Sequence, residues 1–249
     1  MSIRKNLLVL LFFLTGICYG QEKTAGVLEN DQFSYTGFIN QKIPVTLDLT
    51  ILGDYTVTGK ISYLNTKPAL PISIIGTYNQ SESVFTLAEY EKSGNISGLI
   101  RATLKNLLIE GEWGSTKSDA SYPLSLTFKA HHSIKPQVPA SQHIEGEYAY
   151  HYGETGYDGV IKITREKNGT YAYAIGTVTG DKTRDLANAS GSGLALQNNQ
   201  LMIEVNPSCR FSVTFYDGFL KIASLNKDAD SCGFTGANAT LRGVYLKIR

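Results

Sequence analysis

Apolar residues in this chain recur at every second position, segment after segment, and no other feature constrains the fold as strongly. Lys42 to Thr50 reads KIPVTLDLT, with Ile43, Val45, Leu47 and Leu49 on one face and Thr46, Asp48 and Thr50 on the other. Successive side chains of a β-strand point to opposite faces, so this alternation marks strands with one buried face. No stretch carries an apolar stripe of helical period, and the pattern predicts almost no helix.

Read this way, the chain holds two sets of eight strands. The first set is Phe33–Ile39, Lys42–Thr50, Tyr55–Tyr63, Leu70–Tyr78, Val84–Tyr90, Ile96–Leu104, Leu107–Trp113 and Tyr122–Phe128. The second is Ile144–Tyr152, Tyr157–Arg165, Thr170–Val178, Leu186–Leu196, Gln200–Val205, Cys209–Tyr216, Phe219–Ser224 and Ala239–Ile248. Turn residues separate them, including Gly53-Asp54, Asn168-Gly169 and Asp217-Gly218. Asp-Gly readily takes the positive φ angles of a tight type I′ turn. Leu186–Leu196 is rich in small residues and suits a barrel corner or a bulge. Between the sets, AHHSIKPQVPASQ (Ala130–Gln142) has two prolines and no alternation, the composition of a linker. Eight antiparallel strands in meander order remove their own edges by closing. The expected architecture is therefore all-β, with two tandem eight-stranded, lipocalin-like meander barrels over 33–129 and 144–249. A linker at 130–143 joins them and a tail at 21–32 precedes them. Two β-sandwiches are the alternative, because alternation alone does not separate them.

The first twenty residues read as an export leader. Arg4 and Lys5 precede an apolar run over Leu7–Leu14, and small residues follow at Thr15, Gly16 and Gly20. The run is shorter than the roughly 20 residues that span a bilayer. Ile17 before Cys18 is too bulky for a lipobox. Removing the leader leaves Cys209 and Cys232, which in an exported protein are expected to form a disulfide, contributing roughly 3 kcal/mol by loop closure. The expected location is periplasmic or extracellular, with no membrane span. A formal net charge of +1 and the absence of a basic block argue against nucleic acid as partner.

Motifs for catalysis and metals are sparse. The SGSG around Ser190 and Ser192 lacks the strand-turn-helix context of a nucleophile elbow. Three of the four histidines, His131, His132 and His143, fall in or beside the linker, and His151 shares the polar face of Glu145 and Glu147. Glu110 and Glu112, in IEGEW, would be the acid pair of a glycan-active hydrolase, but they face opposite to Ile109 and Trp113. Asn226–Asp230 opens like a calcium loop yet has Ser231 and Ala237 where such a loop needs glycine and a bidentate acid. No cofactor or metal is expected. Asn79, Asn95, Asn168, Asn188 and Asn238 head Asn-x-Ser/Thr triplets, the acceptor pattern for glycans in a eukaryotic secretory pathway. The most suggestive side chains are tyrosines: Tyr148, Tyr150 and Tyr152 share one strand face, and Tyr171 and Tyr173 another. A flat ring with a polar tip suits either a barrel core or the wall of a ligand site.

Two segments resemble known proteins. Cys209, Phe211, Phe215, Cys232, Gly233, Phe234, Asn238, Gly243 and Tyr245 form a pattern similar to the closing segment of small exported bacterial β-barrel domains of unassigned function. Related arrangements occur in proteins near the periplasmic lysozyme inhibitors. The first half, through Thr36, Gly37, Ile39 and Gly111–Trp113, resembles exported domains of unknown function. The resemblance implies a scaffold and, in its more specific form, an inhibitor of an extracellular or periplasmic hydrolase. The function expected overall is an exported, non-enzymatic binding module for a small molecule, glycan or protein. The alternatives are the hydrolase and a structural envelope or interaction protein.

Overall fold

The computed structural model describes residues 31–133, 144–153, 156–180, 182–226, 235–236 and 238–249. Alternation becomes eight strands in the first half: β1 (Asp31–Ile39), β2 (Ile43–Ile51), β3 (Thr56–Tyr63), β4 (Pro71–Asn79), β5 (Val84–Tyr90), β6 (Ile96–Lys105), β7 (Leu108–Ser115) and β8 (Ser121–Ser133). Each pairs with the next, and β1 returns to β8 with Tyr35 opposite Phe128 and Ile39 opposite Leu124. The sheet is a closed barrel, which settles the choice against a sandwich for this half. Val45, Leu47, Leu49, Ile61, Ile74, Phe85, Leu87, Ile100, Ile109 and Leu126 fill its interior, none more than 2% exposed. An eight-stranded barrel has an interior just wide enough for side chains, and here they occupy it. Small inner-face residues let the strands curl this tightly. A Cβ at Gly37 would fall on the carbonyl oxygen of Ser125, and one at Gly59 on that of Asp48.

The second half supplies β9 (Gly146–His151), β10 (Asp158–Arg165), β11 (Tyr171–Val178), β12 (Leu186–Leu194), β13 (Gln200–Asn206), β14 (Cys209–Tyr216), β15 (Phe219–Ser224) and β16 (Gly243–Lys247). Their order is β12-β11-β10-β9-β16-β15-β14-β13. The last strand pairs with the first of this half through Leu246 opposite Ala149 and Lys247 opposite Tyr148. Only the seam between β12 and β13 lacks a ladder, so this barrel is nearly closed. Tyr148, Ile161, Ile163, Tyr173, Ile175, Leu201, Phe211, Val213, Phe215, Leu220 and Tyr245 fill it. The small-residue strand carries a register irregularity against Tyr171–Tyr173, as a bulge there would require.

Five local readings are corrected. The segment Ala130–Ser133 is strand, not linker: His132 pairs with Gln32 and His131 with Phe33, and the His131 Nε2 lies 2.8 Å from Asp31. Backbone pairing with β1 holds this polar stretch in the sheet, and residues 134–143 lie outside the described set. Leu107 belongs to a turn, because Asn106 (φ 50°) and Leu107 (φ 63°) both take the left-handed region. At Asp217-Gly218 only Gly218 does (φ 80°), so that turn is not type I′. The last strand is shorter than its alternation suggested, since Ala239–Arg242 form a loop. Of the tail at 21–32, Asp31 and Gln32 instead open β1; its other residues, the leader at 1–20, Asp228, Asp230 and Cys232 lie outside the described residues.

The barrels pack side by side. Ile75, Ala88, Tyr90 and Ile96 point out of the first barrel yet are buried among residues of the second. A backbone bridge joins Asn95 to His151, and the His151 amide donates to Gly94 O at 3.0 Å. Further along, the Tyr216 hydroxyl donates to Asp54 Oδ2 at 2.6 Å. Lys221 Nζ reaches Asp54 Oδ2 at 3.2 Å and the fully buried Thr56 Oγ1 at 3.0 Å.

Candidate ligand-binding cleft

The end of the second barrel beside the first carries a shallow cleft. Tyr150, Tyr152, Tyr157, Thr240, Arg242, Gly243 and Val244 line it, and its volume is about 230 Å³. Tyr150 comes from β9 and Tyr152 from the residue just past its end. Tyr157 lies before β10, where it is 49% exposed. The Tyr152 amide donates to Tyr157 O at 2.8 Å, which holds the two ends of that connection together.

The opposite wall is the loop before β16, and its position is fixed from below. The buried Thr177 of β11 donates its hydroxyl to Thr240 O at 2.8 Å. Tyr245 donates to Leu241 O at 2.8 Å, and Leu241 is itself fully buried. Arg242 Nε donates to Thr240 Oγ1 at 3.3 Å, orienting the guanidinium. Gly243 has φ +155°, and a Cβ there would touch Tyr150 Cε1 at 3.4 Å. A Cβ at that distance makes ordinary contact with the ring, and it is the positive φ that favours glycine at 243. Tyr150 packs edge-on against Tyr245 at 4.8 Å and Tyr152 at 5.9 Å.

The first barrel contributes the support. Tyr90 donates its hydroxyl to Val244 O at 3.0 Å, across the junction. Burial pushes its phenol well above the ordinary value, as do the nearby Tyr152 and Tyr150. Burial pushes Tyr150 up to about 12 and also raises Tyr152. All three phenols are neutral hydroxyls at physiological pH.

The tyrosines singled out from the sequence thus separate. Tyr150 and Tyr152 line the cleft. Tyr148 (2% exposed), Tyr171 (5%) and Tyr173 (6%) lie in the core of the second barrel, Tyr148 donating to Ile144 O at 2.8 Å. Tyr157, Thr240 and Arg242 sit on connections and Gly243 opens β16; no apolar period or chemical motif marks them as part of a site. Cys209 is fully buried at the start of β14. Glu110 and Glu112 are exposed on the outer face of β7, and Ser121 donates to Glu112 at 3.4 Å. His151 Nδ1 lies 2.8 Å from Asp158 Oδ2. Among the described residues, no group of three or more His, Cys, Asp or Glu side chains is placed to hold a metal ion. No described helix is long and apolar enough to cross a membrane.

One buried acid was overlooked. Glu89 is 1% exposed and has the inward parity of Phe85 and Leu87. Its Oε1 accepts from the Tyr63 hydroxyl at 2.6 Å and Trp113 Nε1 at 2.8 Å, and its Oε2 from Ser97 at 3.2 Å. All three donors are neutral. Burial raises its pKa, against the lowering effect of those hydrogen bonds. Tyr122 stacks on Trp113 with ring centroids 6.1 Å apart. A polar residue at an inward position of VFTLAEY was the signal that could have found it.

No family model matches the chain, and no curated protein matches it. A solved structure of a protein of unknown function from the DUF3598 family of Nostoc punctiforme PCC 73102 is 12% identical. It covers 80% of this chain and 80% of that chain at a TM-score of 0.26, a likeness too slight to carry any argument.

Proposed function

We propose that the chain is an exported, non-enzymatic binding module that takes a small ligand in the cleft at the junction of its two barrels. The observation that carries this reading is the convergence of three tyrosines, a threonine and an arginine on one concave site whose walls are braced by buried hydrogen bonds. Both interiors are filled with apolar side chains, which favours a site at a barrel end over a ligand inside a barrel. Polar groups aimed into a mostly apolar concavity are the usual make-up of a ligand site. Export rests on the leader at 1–20, and the same reading includes a disulfide between Cys209 and Cys232. Inhibition of an extracellular hydrolase is a narrower form, in which the loops around this cleft would meet the enzyme.

A thermal-shift screen of small fragments tests the reading. Ligands that raise the melting temperature of the chain should lose that effect in Tyr152→Ala, whose side chain forms part of the cleft wall. Hits that stabilise both proteins equally would place binding elsewhere and reject the cleft.

A further inference from the structure

Glu89 is a buried acid without a cation. Tyr63, Trp113 and Ser97 donate to it, all neutral. Among the described residues, no lysine, arginine or histidine forms an ion pair with it. Buried carboxylates are ordinarily paired with a positive group, because an uncompensated interior charge costs several kcal/mol. Positions that carry such a cost are where a functional group is expected. We propose that this end of the first barrel binds a quaternary ammonium group, held over the rings of Tyr63, Trp113 and Tyr122 with its charge towards Glu89. The site shares no residue with the junction cleft, so either can fail without the other.

The register brings these side chains together. Tyr63 ends β3, Glu89 is the penultimate residue of β5 and Tyr122 is the second residue of β8, where it pairs with Trp113. Tyr63, Trp113 and Tyr122 pack against the core of the first barrel. Strands β3 and β7 stand on opposite sides of the closed sheet, yet Tyr63 and Trp113 meet at one carboxylate oxygen. The three aromatic residues are half-buried, whereas Glu89 is 1% exposed, so the rings meet solvent and the charge does not. Because the polar tips of Tyr63 and Trp113 turn to the acid, the ring surface that remains is apolar. Gly98 keeps the acid close to the indole: a Cβ there would fall 2.5 Å from Trp113 Nε1 and 2.7 Å from Glu89 Oε2.

Aromatic faces attract cations, and a buried carboxylate is screened far less than one in water. The nearby lysine of the loop after β7, Lys117, is engaged by Glu91 at 3.3 Å. The hydrogen bonds decide which cation fits. A carboxylate offers about four acceptor positions, three are filled here, and burial closes the last to a donor from solvent. A primary ammonium would lose its water without gaining acceptors. A quaternary ammonium has no N–H to satisfy, and its methyl groups suit apolar rings.

The full chain carries a single tryptophan, so Trp113 fluorescence reports on the site directly. Three probes are titrated: choline, ethanolamine and the neutral alcohol in which a tert-butyl group replaces the trimethylammonium of choline. Choline should change the emission saturably and bind at least about tenfold more tightly than either of the others. Glu89→Gln should bring choline to the level of the neutral alcohol while leaving that alcohol unchanged. Tyr122→Leu, at a half-buried position, should weaken choline by about tenfold with an unaltered circular dichroism spectrum, a second reading should Glu89→Gln fail to fold. Co-sedimentation with phosphatidylcholine vesicles, lost in Glu89→Gln, would assign the group to a lipid headgroup. Choline binding without vesicle binding would assign it to a free solute; both support the shared chemistry. Ethanolamine or the neutral alcohol binding as tightly as choline would overturn the ligand class. A preference for choline that survives in Glu89→Gln, or no saturable change in Trp113 emission with choline or vesicles, would overturn the site.

Discussion

Glu89→Gln isolates the energetics of the buried acid in the first barrel. The amide oxygen of the variant can take the place of Oε1 and keep the bonds from Tyr63 (2.6 Å) and Trp113 (2.8 Å), while its NH2 group can donate to Ser97. Hydrogen bonds to a charged acceptor contribute about 1.5–3 kcal/mol and neutral ones about 0.5–1.5, so the two bonds to Oε1 together lose about 2 kcal/mol. Removing the charge recovers a desolvation cost of several kcal/mol, because the carboxylate has only neutral partners to offset it. At pH 7 the variant should therefore match the parent or exceed it by about 1–2 kcal/mol. The pH dependence gives the sharper signature. Burial holds the folded pKa above the unfolded carboxyl value of 4.5. The folded parent thus binds a proton more tightly than the unfolded chain does. Its stability falls as pH rises through that window, by about 1.4 kcal/mol per pH unit. Urea denaturation followed by circular dichroism at pH 4.5, 6 and 7.5 reads both proteins. The advantage of E89Q should shrink as the pH drops. A difference that stays constant with pH, or a loss of about 3–5 kcal/mol at pH 7, would refute the reasoning. The second outcome would mean that the charge is well compensated.

Gly98→Ala should destabilise by about 1–3 kcal/mol and shift the emission of the single tryptophan, because its Cβ would collide with Trp113 Nε1 and Glu89 Oε2. Burial alone would raise the Asp54 pKa, but hydrogen bonds from Tyr216 and Thr56 and the charge of Lys221 outweigh it and hold the carboxyl below 3.8. The stability this contributes is present above the unfolded pKa and is lost as pH falls through the folded value. Asp54→Asn should flatten that acid limb of a stability–pH profile, and an unchanged limb would show that the Tyr216 and Lys221 contacts of Asp54 do not stabilise the fold. Cys209→Ser should cost roughly 3 kcal/mol if Cys209 and Cys232 are joined, and thiol titration of the denatured, unreduced chain should then find neither cysteine reactive.

The strands were legible because a two-residue period is imposed wherever one face of a sheet is buried. Thus β2 and β5 could be read almost to the residue. The errors fall where other forces govern. Ala130–Ser133 has no apolar alternation, and its place in β8 comes from backbone pairing with β1. Leu107 reads as a strand residue by hydrophobicity, yet the two-residue connection between Lys105 and Leu108 needs it at positive φ. The packing of barrel on barrel was partly visible. Ile74-Ile75 and Leu87-Ala88 break the alternation, and the extra apolar residue of each pair faces the other barrel. The cleft was legible only in Tyr150 and Tyr152. Its remaining walls come from the connection before β10 and from the loop before β16 with the start of that strand, about 80 residues apart in sequence and brought together by pairing of β9 with β16.

A crystal structure of the chain bound to the tightest ligand from the fragment screen tests the central claim most directly. The account predicts the ligand seated between Tyr152, Tyr157 and Gly243. A ligand lodged against the seam between β12 and β13 would contradict it.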